Sequence, residues 1–114
     1  MICIIARYKT DRVRAAMTDI LPPVHPGEIL LEDYLLPLDM SAGALAKKLG
    51  VPRTRIERIV KETAPVTTDT ALRLAKFFGT SPEFWTNLQA SYDLKIEAAH
   101  LREELERIER YKAA

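Results

Sequence analysis

Between Ser41 and Lys61 the chain reads SAGALAKKLGVPRTRIERIVK, with apolar side chains at Leu45, Ala46 and Leu49 and again at Ile56 and Ile59. Each set falls at helical spacing, and Gly50 breaks the run between them. Ser41 suits the N-cap of the first helix, because its hydroxyl can accept from the free N–H groups of the first turn. Gly50 suits the left-handed residue past that helix's end, where a Cβ would be strained. Pro52 loses nothing at or just before the next helix start, since N–H groups there have no intrahelical partner. Two short helices joined by a tight turn make a helix-turn-helix. Ile56 and Ile59 hold its second helix to the body, and Arg53, Thr54, Glu57, Arg58 and Lys61 face outward.

The same reading places helices on either side. Pro22 and Pro23 form a stiff linker, and Pro26 opens a helix to about Leu36, with Leu30, Leu31, Tyr34 and Leu35 as a broad apolar face. Pro37 ends it, and Leu38 and Met40 are placed to cover the core. After a loop at 62–66, Thr67 or Thr68 caps a helix from about Asp69 to Phe78, whose stripe is Ala71, Leu74, Ala75 and Phe78 and whose stop is Gly79. Ser81 and Pro82 start another helix, with Phe84, Trp85, Leu88 and Tyr92 on its apolar side. The expectation is an all-α domain of five helices over residues 22–92. Residues 93–114 are expected as a separate amphipathic helix, with a narrow seam at Leu94, Ala98, Leu101, Leu105 and Ile108. Such a helix lies against its own domain, a second subunit or a partner protein, and the pattern leaves these open. Residues 1–21 stand apart as an N-terminal extension. Ile2 to Ala6 is β-branched enough for a short strand if something pairs with it, and residues 1–16 are disordered, weakly structured or an upstream start.

Composition changes this picture little. A chain of 114 residues, 47% hydrophobic and 29% charged, fits one small globular domain with an appendage. The net charge of +1 points to no partner, but its distribution does. Residues 41–61 carry Lys47, Lys48, Arg53, Arg55, Arg58 and Lys61 against Glu57 alone, and a basic helix on a basic module suits the phosphates and major groove of duplex DNA. The single cysteine, Cys3, agrees with a reducing, cytoplasmic setting. No run of 18 apolar residues is present, so no membrane partner is expected.

Catalytic chemistry is not expected. His25 and His100 lie in different segments without a cysteine or carboxylate at ligand spacing, so no metal site is expected. His25 reads as a helix-entrance residue and His100 as solvent-facing. Ser41 and Ser81 read as caps, since no histidine–acid pair accompanies either. No glycine-rich phosphate loop is present, and no cofactor or small-molecule substrate is expected. Phe84 and Trp85 read as core or interface rather than as a base-stacking platform.

Four blocks carry a family resemblance: HPGEIL at His25–Leu30, LAKKLGV at Leu45–Val51, TALRLAKFFGTSPEFWTNLQ at Thr70–Gln89, and YDL at Tyr92–Leu94. Together they resemble the HigA antitoxins, within the Xre-type helix-turn-helix group that also holds phage repressors. The resemblance implies a five-helix Xre-type domain. It also implies an antitoxin that neutralises a HigB-type mRNA-cleaving toxin and, as a homodimer, binds operator DNA to repress its own operon. The family's base-reading and phosphate-contacting positions fall here on Pro52, Arg53, Thr54, Glu57, Arg58 and Lys61, and Ser41 and Arg55 complete the candidate DNA-binding set. Pro52 departs from the serine common at its place, and the N-terminal extension is absent from the usual pattern. The candidate dimer residues are Phe84, Trp85, Leu94, Leu101, Leu105 and Ile108. A toxin that handles RNA should be basic, so the acidic first-helix region, with Glu28, Glu32 and Asp33, is the candidate toxin contact. The competing reading is a stand-alone Xre-type regulator without a toxin. A small basic protein encoded immediately upstream would favour the antitoxin.

Overall fold

The computed structural model describes residues 23–112, so the expected extension with its candidate strand lies outside the described residues, as do Ala113 and Ala114. The first helix, α1 (Pro26–Ile29), opens on His25, whose Nδ1 accepts the Gly27 N–H at 2.9 Å in the manner of an Asn or Asp N-cap. Pro26 fills N1, where no N–H is needed, and Glu28 lies in the positively polarised first turn. The backbone then runs without a break into a π-helical stretch, Leu30–Leu35, in which the Leu36 N–H reaches the Leu31 carbonyl at 2.9 Å. The wider turn buries the three consecutive residues Asp33, Tyr34 and Leu35. This corrects two expectations. Asp33 is only 4% exposed and belongs to the interior rather than to an outward acidic face. Leu38 is 55% exposed, leaving Met40 as the turn residue packed on the core.

Helix α2 (Ala42–Leu49) starts on Ser41, whose Oγ accepts the Ala44 N–H at 3.0 Å, and ends on Gly50 at φ 71°. Helix α3 (Arg53–Val60) follows from Pro52, which takes the N-cap place without a side-chain bond. Helix α4 (Thr68–Phe78) is capped by Thr67 and closed by Gly79 at φ 72°. Helix α5 (Pro82–His100) is capped by Ser81, and the short α6 (Arg102–Glu106) ends the helical part of the tail. The described residues are all-helical, without strands.

The core is built by Ile29, Leu30, Leu45, Ile56, Leu74, Trp85 and Leu88, drawn from α1 with its π-helical extension and from α2 to α5. Trp85 is fully enclosed at its centre, with its ring centroid 5.3 Å from that of Tyr34 and 5.0 Å from that of Phe84, and its Nε1 donates to Thr80 Oγ1 at 2.9 Å. It therefore has no surface to offer a second copy, which corrects its assignment to a dimer contact. Phe84 is half-buried.

The expected break between Tyr92 and Asp93 falls inside α5, which continues for two further turns. Gln89 bridges this stretch to the loop after α3. Its Oε1 accepts the Val66 N–H at 2.8 Å and its Nε2 donates to Asp93 Oδ1 at 2.9 Å. The tail helix expected over 93–114 is thus the end of α5, the bend at Leu101 and the five residues of α6.

The His25 cap makes a pH prediction. Burial lowers the imidazole's pKa below its ordinary value, and Glu62 and Asp93 oppose that shift. The unfolded chain therefore takes up the proton first, so the cap's contribution is complete above about pH 6.5 and is lost as pH falls below it. Protonation at Nδ1 would remove the acceptor used by Gly27, at a cost of about 1 kcal/mol. Thermal unfolding between pH 7 and 5 should show a wild-type midpoint that drops more than that of His25→Asn, which caps without titrating. Parallel curves would remove His25 from this role.

Candidate nucleic-acid interface

Two close contacts set the position of α3. At Gly27 an added Cβ would lie 1.8 Å from the Ile59 carbonyl oxygen, so α1 and the end of α3 approach backbone to backbone. At Gly43 on α2, an added Cβ would meet only Arg53 Cδ at 3.2 Å, so the stem of Arg53 lies across that glycine. Ile56 and Ile59 are buried beneath α3, and Arg53, Thr54, Arg58 and Lys61 are exposed. The Arg53 side chain is 73% exposed, and its Nε donates to Glu57 Oε2 at 3.0 Å, which places a donor fork and an acceptor side by side. Ser41 stands exposed at the start of α2, with its hydroxyl used as the cap.

Arg55 behaves differently from its neighbours. Its Nη1 donates to Asp69 Oδ2 at 2.6 Å, and the same oxygen accepts from Arg73 Nε at 3.1 Å. Arg73 Nη1 also donates to the Leu49 carbonyl at 2.7 Å, satisfying a C-terminal carbonyl of α2. The hydrogen bonds from Arg55 and then Arg73 hold the Asp69 carboxyl below its usual range, so it stays ionised. Thr54, Arg58, Pro65, Thr67, Asp69 and Arg73 are among the residues lining a groove of about 570 Å³ between α3 and the start of α4.

The structure thus gathers Arg53, Thr54, Glu57, Arg58 and Lys61 on one helix and keeps Ser41 and Pro52 at the two helix starts. It engages Arg55 with an acid on α4. Gly27, Gly43, Asp69 and Arg73 escaped the sequence reading. The i,i+4 spacing of Asp69 and Arg73 was the available signal for that pair, whereas nothing local marks a glycine that faces another helix. Leu94, Leu101, Leu105 and Ile108 are exposed along the tail. Among the described residues no group of His, Cys, Asp and Glu could hold a metal, and no helix is long and apolar enough to cross a membrane.

A helix-turn-helix family model matches residues 31–85. Virulence-associated protein I of Dichelobacter nodosus is 53% identical over 76 residues, covering 67% of this chain and 70% of that protein. A solved addiction-module antidote protein of the HigA family from Coxiella burnetii is 47% identical, with a TM-score of 0.76 over 80% of this chain and all of that one. The chain belongs to the HigA antitoxin family. The antitoxin HigA of Pseudomonas aeruginosa, solved with the higBA promoter, is 38% identical, with a TM-score of 0.77 over 79% of this chain and 99% of that one. The relatives whose names state a role are antitoxins and helix-turn-helix transcriptional regulators, not enzymes.

Proposed function

We propose that the chain is an antitoxin that binds its own operator as a dimer, represses its operon and neutralises a HigB-type toxin. The observation that carries the DNA reading is the exposed row Arg53, Thr54, Arg58 and Lys61, with the half-buried Glu57 beside it, on a helix seated by two buried isoleucines. Arg53 can take a guanine bidentately, and Glu57 beside it can accept from a cytosine amino group. A single helix-turn-helix reads few base pairs, so two copies on an inverted repeat, with half-sites about 34 Å apart or a multiple of that, give the required specificity. The exposed apolar residues Leu94 on α5, Leu105 on α6, and Leu101 and Ile108 beside them support pairing between copies. For the toxin, Glu28 is half-buried on α1 and Glu32 exposed on the π-helical stretch that continues it, and these two acids suit a basic partner.

The test is binding to duplex DNA from the region upstream of the chain's own reading frame. Arg53→Ala should weaken binding and relax preference at one base pair per half-site, a discrimination of about 1–3 kcal/mol. Lys61→Ala should weaken all sequences alike and reduce the salt slope by about one. Unchanged affinity and base preference in Arg53→Ala would refute this docking.

A further inference from the structure

We propose that Asp69 is a specificity-determining residue: its carboxylate occupies Arg55, while sharing Arg73 with the Leu49 carbonyl, and so withholds a cation of the α3–α4 groove from the phosphates of unrelated DNA. The inference rests on the DNA-binding reading above. The groove that presents Thr54 and Arg58 is also lined by Arg55, Arg73 and Asp69, so the ion pairs lie on the surface that would meet the duplex. All three side chains keep 40–55% exposure, close enough to solvent for a phosphate to compete. One carboxylate oxygen serves both guanidinium groups, at 2.6 and 3.1 Å.

The alternative role, a staple between α3 and α4, is weak by magnitude, because ion pairs this exposed add little to stability. In DNA binding the same charges count for more. Each cation placed on a phosphate releases condensed counterion and steepens the salt dependence by about 0.9. That gain is independent of sequence, so a cation left available raises affinity for every duplex and lowers the preference for the correct one. The two arginines are not equivalent. Arg73 keeps a second anchor on the Leu49 carbonyl, whereas among the described residues the Arg55 guanidinium is held by Asp69. Removing the acid should therefore release chiefly Arg55.

The experiment measures affinity of the full chain for a random-sequence duplex between about 50 and 200 mM salt. Asp69→Asn should bind that duplex more tightly than wild type at low salt, with a slope steeper by about one, and its ratio of upstream-region to random-sequence affinity should fall. Adding Arg55→Ala to Asp69→Asn should return the slope to the wild-type value. Arg55→Ala alone should change the slope by less than it does in the Asp69→Asn background. A folded fraction that stays the same across the salt range, checked by circular dichroism, leaves the slope unaffected. An unchanged slope in Asp69→Asn, or an equal effect of Arg55→Ala in both backgrounds, overturns the proposal while the DNA reading stands. Wild type that binds no duplex at low salt overturns both.

Discussion

Trp85→Ala should lose about 3–5 kcal/mol of stability, the range for removing a fully enclosed large aromatic side chain. The reason is local and specific. The indole has no exposed surface, it packs against Tyr34, Phe78 and Phe84 with centroids 5.0–6.3 Å away, and its N–H is satisfied by Thr80. Deletion leaves a cavity that faces α5, α4 and the π-helical turn at once, and Thr80 loses its donor. Domains of this size are stable by only about 5–15 kcal/mol, so the variant should be close to unfolding at ordinary temperatures. Urea or thermal unfolding followed by far-UV circular dichroism measures this directly. The loss should be the same at low and high protein concentration, since the site lies within one protomer. A midpoint near wild type, combined with weaker self-association, would instead put Trp85 at an interface.

The second large effect is at Gly27. A methyl group there would lie 1.8 Å from the Ile59 carbonyl oxygen and 2.8 Å from its carbon, and backbone cannot swing aside as a side chain can. Gly27→Ala is expected to cost about 3 kcal/mol, the upper part of the usual range for overpacking. For a domain this small that lowers the melting temperature by on the order of 15 °C. Because Ile59 lies on α3, relief of the clash should also tilt that helix, so on the proposed DNA reading operator affinity should fall even where the variant remains folded. Gly43→Ala is the informative contrast. Its new methyl meets only the flexible Arg53 stem, and alanine is the better helix former by about 0.5–1 kcal/mol. It should melt no lower than wild type while altering the presentation of Arg53. Equal melting of the two variants would refute the close approach at Gly27.

These glycines mark where reading the chain by pattern succeeds and where it stops. Periodicity located the helix-turn-helix, and cap chemistry located its ends. Ser41, Gly50, Thr67, Gly79 and Ser81 all hold the places their side chains favour, because capping is decided within a few residues. The π-helical turn escaped because apolar residues at 30, 31, 34 and 35 satisfy either winding. The identity of the residues that touch α3 from elsewhere also escaped. Gly27 to Ile59 and Arg55 to Asp69 are tertiary contacts, and a glycine or an aspartate looks the same in sequence whether or not a distant backbone or guanidinium meets it. The tail was misread for a related reason. A change from a wide to a narrow apolar stripe at Asp93 signals a change of surroundings, and the helix passes through it unbroken.

That unbroken passage has a mechanical meaning. Helix α5 is rooted at Trp85 and emerges with Leu94 70% exposed, so its outer turns are phase-locked to the domain that carries α3. Each residue of helix fixes about 100° of rotation and 1.5 Å of rise. A single insertion between Asp93 and His100 would therefore swing the apolar positions that follow it in α5 by more than a quarter turn about the axis, with every contact in the domain left intact. Length changes in that stretch keep the seam's bearing only in steps of about seven or eleven residues, the lengths that nearly close a whole number of turns. The tail is a pointer whose direction relative to α3 is set by residue count.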